Sequence, residues 1–169
     1  DRVNNQAGSI EAIEDLALTA KELDNTGGEV ASQGNASIVA DTLENAQGKV
    51  QAGKSLTVIT QVLQGLGMLE SAGDLSFQYA GSLNQEGDIA SGRDLNLSVG
   101  GAMDNRATIT AARDLSITAD SLNNQASGAL LAGGVNTIKV AQGLNNAGLI
   151  DGGSTRITAG SLDNTGRIY

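Results

Sequence analysis

Apolar and polar residues alternate along most of this chain, and the alternating runs recur at a nearly constant spacing. Each recurrence opens with an apolar residue followed by two polar residues, often Asn-Asn or Asp-Asn. These apolar lead residues are Val3, Leu23, Leu43, Leu63, Leu83, Met103, Leu122, Leu144 and Leu162, with spacings of 20, 20, 20, 20, 20, 19, 22 and 18 residues. We call the stretch from one lead to the next a rung. The chain contains eight full rungs and a partial ninth, and such repetition is typical of solenoid proteins.

Inside each rung the alternation has a period of two, which indicates strands with one buried face. In the rung that opens at Met103, the later apolar positions are Ile109, Ala111, Leu115, Ile117 and Ala119. Each rung therefore predicts three strand-like segments: a lead segment, a middle segment of the form Ile-x-Ala, and a third segment of the form Leu-x-Ile-x-Ala. Corners rich in Gly, Asn and Asp separate these segments.

Three short strands cannot form a core alone, so each rung must stack on its neighbours. We predict an all-β fold, a right-handed parallel β-helix of about eight rungs of roughly 20 residues, with three short strands per rung. A rise of about 4.8 Å per rung makes the rod about 40 Å long. We expect residues 1–169 to form a single repeat domain and a fragment of a longer protein. The rival fold is a leucine-rich repeat, which needs L-x-x-L-x-L-x-x-N and a helical return.

The second polar position after each lead forms a column of mostly asparagine residues. We expect a structural ladder, because a stacked amide can donate to one neighbouring rung and accept from the other. Asn also tolerates the left-handed backbone conformation of a tight corner. The alternative is a row that binds a sugar or an ion. The ladder residues are Asn5, Asn25, Asn45, Asn105, Asn124, Asn146 and Asn164, with Gly65 and Gln85 at the same place in the two remaining rungs.

A second polar column precedes the third segment. Its side chains are turn formers that can accept hydrogen bonds from nearby backbone N–H groups. A calcium row is the alternative, but two neutral residues interrupt the column, and Lys54, Arg93 and Arg113 lie beside it and offset the repulsion between carboxylates. The column contains Asp15, Asn35, Ser55, Asp74, Asp94 and Asp114.

The rung that opens at Leu63 departs most from the pattern. Leu66 and Met68 bring apolar side chains to places that are polar in other rungs, and Phe77 and Tyr79 align with inward positions of the following rung. One interpretation is a local bulge, in which smaller residues of adjacent rungs offset the large inner ones. The other is an exposed apolar patch at Leu66 and Met68 that binds a partner.

Composition narrows the function. Aromatic residues are 2% of the chain and hydrophobic residues 40%, so the core must consist of Ala, Leu, Ile and Val. The chain has no Cys or His, so we expect no cofactor and no metal site. The net charge of −9 disfavours nucleic acid as a partner. We expect no membrane-spanning helix, and no enzyme, because the rung lengths leave no room for a loop that could build a cleft.

Four phrases carry a resemblance to a known family. They are Leu23-Asp24-Asn25-Thr26-Gly27-Gly28, Ser91-Gly92-Arg93-Asp94-Leu95, Ala112-Arg113-Asp114-Leu115-Ser116-Ile117 and Leu122-Asn123-Asn124-Gln125. The chain resembles the haemagglutinin repeats of filamentous haemagglutinin and its relatives over its whole length. That family includes adhesins, haemolysin-like exoproteins and contact-dependent growth-inhibition effectors of Gram-negative bacteria.

The resemblance implies a right-handed β-helix, secretion through an outer-membrane two-partner transporter, and a position on the outer surface of a Gram-negative bacterium. The leading hypothesis is a stalk segment that presents distal binding or toxin domains. The alternatives are a delivery segment of a growth-inhibition toxin, or an adhesin module that itself binds a glycan, a host protein or a receptor on a neighbouring cell. Exposed terminal strands would also favour end-to-end self-association.

Overall fold

The computed structural model describes residues 1–169 and consists of 19 β-strands with no helix. The strands are β1 (Arg2–Asn4), β2 (Ser9–Ala12), β3 (Leu16–Asp24), β4 (Glu29–Ser32), β5 (Ala36–Ala52), β6 (Leu56–Ser71), β7 (Leu75–Tyr79), β8 (Leu83–Gln85), β9 (Ile89–Ser91), β10 (Leu95–Val99), β11 (Ala102–Asn105), β12 (Thr108–Ala111), β13 (Leu115–Ala119), β14 (Ser121–Asn124), β15 (Ala129–Val140), β16 (Gly143–Asn146), β17 (Leu149–Thr158), β18 (Ser161–Asn164) and β19 (Arg167–Ile168). The absence of helices excludes a leucine-rich repeat with a helical return.

Every strand pairing is parallel, and equivalent segments of successive rungs lie side by side. Val3 pairs with Leu23, and Met103 pairs with Leu122, as the spacing of the leads predicts. The lead, middle and third segments therefore form three faces, which we call the lead, middle and third sheets. The predicted parallel β-solenoid of about eight turns is confirmed. Its right-handedness stays a prediction.

The segments of a rung are not always separate strands. β5 runs without interruption from the third segment of the rung from Leu23 through the lead and middle segments of the rung from Leu43, and β6 does the same one rung later. The prediction of three short strands per rung is therefore too simple for these rungs, because the backbone stays extended and paired around the corners. Rung length also varies without loss of register: Leu144 pairs with Leu122 on one side and Leu162 on the other, although the spacings differ.

A single apolar cluster of 31 buried residues runs along the rod. It follows the predicted alternation: in β10, Leu95, Leu97 and Val99 are buried, and Asn96 and Ser98 face solvent. The side chains are small or branched, so each rung fits closely against the next. Stacked rungs thereby remove each other's inner face from water, which is the main favourable contribution to folding.

Phe77 lies inside this core and Tyr79 packs against it, in line with the inward positions that their alignment predicts. Phe77 is fully buried and pairs with Leu97 on one side and Val58 on the other. Tyr79 is half-buried and stacks on Phe77, with ring centroids 6.5 Å apart. Its hydroxyl reaches the corner at Gly81, where a Cβ would lie 2.5 Å from the oxygen atom. A small residue in the corner thus offsets a large one in the strand.

Truncation of one core residue should destabilise the rod more than truncation of its outward neighbour. We expect Leu97→Ala to lower the free energy of unfolding by about 2–5 kcal/mol, because a fully buried side chain leaves a cavity between two rungs. Urea unfolding followed by circular dichroism measures this loss. Ser98→Ala is the matched control on the outer face, and equal losses for the two variants would contradict the assignment of the core.

Candidate functional site

The asparagine column forms a chain of side-chain hydrogen bonds along one corner of the rod. In each pair, the Nδ2 atom of one rung donates to the Oδ1 atom of the next rung. The pairs are Asn5 to Asn25 at 2.7 Å, Asn25 to Asn45 at 2.7 Å, Asn105 to Asn124 at 2.8 Å, Asn124 to Asn146 at 2.7 Å, and Asn146 to Asn164 at 2.7 Å. All these amides point in the same direction, so their dipoles align and each bond strengthens its neighbours.

These side chains also satisfy the backbone of the corner. Asn25 donates to the carbonyl oxygen of Lys49 at 3.3 Å, in addition to its bond with Asn45. The column does not occupy the left-handed backbone conformation, contrary to one reason given for choosing Asn. In the first three rungs that conformation falls two residues later, at Ala7, Gly27 and Gln47. The amide ladder, and not backbone conformation, therefore explains why Asn recurs here.

A glycine column beside the asparagines allows the rungs to approach closely, and the sequence analysis missed it. A Cβ atom on Gly48 would lie 2.2 Å from the carbonyl oxygen of Asn25 and 2.4 Å from Oδ1 of Asn45. Any larger residue would therefore push the two rungs apart. The signal was available in the sequence, because a glycine follows six of the seven ladder asparagines by two to four residues. The glycines of this column are Gly8, Gly28, Gly48, Gly67, Gly87, Gly128, Gly148 and Gly166.

The rung from Leu63 interrupts the ladder in a way that the sequence alignment placed incorrectly. Counting from the lead puts Gly65 in the asparagine column, but the structure pairs Asn45 with Leu66. Gly65 instead forms a bulge with a positive φ of 70°. The column therefore contains a leucine at this rung. The asparagine ladder is divided into a run of three residues below it and a run of four above it.

The predicted exposed apolar pair at Leu66 and Met68 requires correction. Leu66 is 5% exposed and belongs to the hydrophobic core, since it points inward in place of an asparagine. Met68 is 40% exposed and pairs with Lys49 of the preceding rung. Any apolar contact surface in this rung is therefore reduced to Met68. Its proposed role in binding a partner stays a prediction.

The second polar column connects side chains to the backbone of the next rung. Oδ1 of Asp15 accepts from the Asn35 N–H at 2.7 Å, and Oδ1 of Asp114 accepts from the Val135 N–H at 2.7 Å. Similar bonds join the residues between them: Asn35 to Ser55 at 3.3 Å, Asp74 to Asp94 at 3.2 Å, and Asp94 to Asp114 at 3.3 Å. One side-chain oxygen atom of each of these Asp and Asn residues is thus engaged with a backbone N–H group.

Arginine residues beside this column pair with its carboxylates. Arg113 binds Asp94 through two nitrogen atoms, with Nε 2.8 Å from Oδ1, and Arg93 lies 3.6 Å from Asp74. The hydrogen bond from Arg113 lowers the pKa of Asp94 below its ordinary value of 3.8, and the backbone N–H of Asp114 lowers it further. The same pair raises the pKa of Arg113. Repulsion between stacked carboxylates is thereby offset, as the sequence predicts.

The outer surface has shallow grooves between rungs. One groove has a volume of about 640 Å³ and follows the outer side of the middle sheet in the first four rungs. Glu11, Glu29 and Glu70 line it, with Gln51 donating to Glu29 at 2.6 Å and the exposed Ile13 at its edge. No three His, Cys, Asp or Glu side chains lie close enough together to hold a metal ion. Nor does the structure contain a helix with the length and apolarity to cross a membrane.

Parallel stacking, a thin aliphatic core and a buried amide ladder together define a β-solenoid repeat protein. The model of the haemagglutinin repeat family matches residues 1–61, 55–107 and 110–168. The chain therefore belongs to the haemagglutinin repeat family. No curated protein and no solved structure matches it. Membership agrees with the resemblance seen in the sequence, and it indicates a segment of a large secreted exoprotein of the adhesin type.

Removal of one ladder amide should leave two buried polar atoms without partners. Asn124 is fully buried between Asn105 and Asn146, so Asn124→Ala should reduce the free energy of unfolding by about 2–4 kcal/mol. Thermal or urea unfolding measures the loss. Asn123→Ala is the control, because this neighbour is half-buried and lies outside the ladder. A smaller effect at Asn124 than at Asn123 would show that the ladder adds little.

The acid titration of Asp94 should depend on its arginine partner. A lowered folded-state pKa stabilises the protein above the unfolded value, and this contribution is lost as the pH falls through the folded pKa. We expect Arg113→Gln to raise the pKa of Asp94 toward 3.8, and Arg93→Gln to raise it less, because Arg113 is the main cause of the shift. NMR titration of the Asp94 carboxyl carbon measures both values. An unchanged midpoint in Arg113→Gln would contradict the pairing.

Proposed function

We propose that this chain is a stalk segment of a secreted surface exoprotein and holds distal binding or toxin domains away from the cell. The observation that carries the proposal is the uninterrupted stack: middle and third segments pair from rung to rung, and no rung contains a long inserted loop. Such a rod sets the distance between its two ends, because every rung contributes about 4.8 Å of length. Its surface presents no deep site that would give this segment a separate task.

The two polar columns support the stalk role because their side chains form hydrogen bonds with the neighbouring rungs. The ladder asparagines other than Asn164 are buried, and their amides bind one another, so they are not free to recognise a sugar. The carboxylates of the second column accept backbone N–H groups of the next rung. Both columns therefore connect rung to rung, as a stalk segment requires.

The same features make an enzyme an unfavourable interpretation. Catalytic sites need a concave pocket with nucleophiles or acid–base groups of shifted pKa. The chain has no His and no Cys, and the one lowered carboxyl pKa belongs to an exposed ion pair with arginine. The acidic side chains that line the 640 Å³ groove lie on separate rungs, and no cysteine or histidine lines this groove. We therefore propose a non-enzymatic role.

Family membership supports further parts of the proposal. The haemagglutinin repeat family belongs to secreted surface exoproteins of Gram-negative bacteria, and it implies two-partner secretion through an outer-membrane transporter. We propose the same route and the same outer-surface location for the protein that contains this segment. A delivery segment of a contact-dependent growth-inhibition toxin would need the same rod, so it is a variant of the stalk proposal.

The second candidate is an adhesin module that binds a glycan or a surface protein directly. The observation that favours it is Met68, an apolar side chain that is 40% exposed beside the irregular corner of its rung. Because Leu66 is buried, its replacement would test the core and not the surface. A test of direct binding must therefore change Met68 alone.

Binding assays on the 169-residue chain separate these two functions. A stalk segment should give no saturable binding to a glycan array or to intact epithelial and bacterial cells. Saturable, reproducible attachment would overturn the pure stalk role. If attachment occurs, Met68→Ser should reduce it at least about tenfold when Met68 is the contact. Val62→Ser is the matched control, since Val62 is 48% exposed on another face. Equal attachment by both variants would remove Met68 from consideration.

A further inference from the structure

The lead sheet is interrupted at a single step of the rod. Lead segments of successive rungs pair in all the remaining steps, for example Leu43 with Leu63 below the interruption and Leu83 with Met103 above it. The lead segments from Leu63 and Leu83 form no such pairing, and they belong to different sheets. The lead face is thus divided between the fourth and fifth rungs.

The asparagine ladder is broken at the same place. Leu66 occupies the column between Asn45 and Gln85, and all three side chains are buried. Nδ2 of Asn45 has no acceptor, and Oε1 of Gln85 has no donor. These are the two atoms that an asparagine at position 66 would satisfy, since ladder amides accept from the rung below and donate to the rung above. Two buried polar atoms without partners weaken this step.

The length of the corner does not explain the interruption. Six positions separate Leu63 from Leu69, and six also separate Met103 from Ile109. The rung from Met103 nevertheless keeps Asn105 in the ladder and pairs its lead segment on both sides. The cause is therefore the identity of residues 64–68, in which Gly65 bulges outward and a leucine fills the asparagine position.

The other two faces remain paired across this step. Leu69 pairs with Ile89 in the middle sheet, and Leu75 pairs with Leu95 in the third sheet. One open face opposite two closed faces has the geometry of a hinge. We propose that the rod opens and bends at the lead face between the rungs from Leu63 and Leu83, before any other step yields.

A second irregularity in the rod shows why this step differs. Asn136 takes the place of an inward leucine at a bulge, and its Oδ1 atom also lacks a partner. Its Nδ2 atom, however, donates to the carbonyl oxygens of Leu130 and Asp151. The lead, middle and third strands on both sides of it stay paired. An orphaned polar atom alone therefore leaves the sheets intact, whereas the loss of strand pairing marks the hinge.

Hydrogen exchange of the intact 169-residue chain tests the hinge. We expect the amides of residues 63–66 and 83–85 to exchange at least about tenfold faster than those of residues 103–105 and 122–124, because local opening exposes them. NMR or mass spectrometry under native conditions measures the rates. Equal rates at the two places would overturn the proposal. The result does not depend on the stalk role, which the binding assays test separately.

Two variants should close the hinge. Leu66→Asn supplies an amide that can accept from Asn45 and donate to Gln85, and it should slow exchange of residues 63–66 and 83–85 by at least about tenfold. If that change disturbs the core, replacement of residues 64–68 by the five residues 104–108 restores a complete ladder corner of the same length. If the variant with the replaced residues 64–68 folds and its hydrogen-exchange rates are unchanged, the assignment of the hinge to this corner is wrong.

The reverse change is the matched control. Asn124→Leu places a leucine in an intact part of the ladder, between Asn105 and Asn146. Exchange of residues 103–105 and 122–124 should then increase toward the rate of the natural hinge, while residues 63–66 stay unchanged. A uniform increase along the whole rod would contradict a local hinge, because it would show that the rungs open together.

Discussion

Parallel pairing of each rung with its neighbours is the constraint on which the rest of this structure depends. A rung of three short strands has one apolar face and no second layer of its own to cover it, so only stacking removes that face from water. Stacking fixes the side-chain order along the rod, because Leu95 lies over Leu75 and under Leu115. It also keeps the core thin, which is why Ala, Leu, Ile and Val dominate and why Phe77 needs the smaller Val58 beside it.

Corners are the places where this arrangement would fail without polar side chains. Strand pairing satisfies the backbone along the faces, but a corner turns donors and acceptors away from the sheet. The two columns solve this problem differently. In the asparagine column, side chains hydrogen-bond to one another inside the rod, and in the second polar column, side chains accept hydrogen bonds from backbone N–H groups at the surface. At Gly48 the inner column needs a glycine beside it, because the rungs there approach too closely for a Cβ atom.

The sequence was sufficient for the faces of the rod because they repeat. The lead residues, the alternation in β10 and the inward positions of Phe77 and Tyr79 all follow from a period of two within a period near 20. The ladder residue of the fourth rung could not be predicted from this repeat. Counting from Leu63 selects Gly65 for the ladder, whereas Leu66 occupies it. Burial of the Leu66 side chain favours the register in which Leu66, and not Gly65, pairs with Asn45. Counting residues from the lead does not include this free energy of burial.

Variation in rung length has a smaller effect than the identity of one inward residue. The rung from Leu122 is two residues longer than the usual rung, and its extra residues are accommodated at corners, including the bulge between Ala132 and Val135. All three sheets stay paired there, since a corner can expand toward solvent without disturbing the core. A leucine in the asparagine column cannot move toward solvent in this way, because it points into the core. Burial of its apolar side chain keeps it inside, and Asn45 and Gln85 on either side then lose a hydrogen-bond partner. The continuity of the rod therefore depends on the side chain in this column more than on the spacing of the repeats.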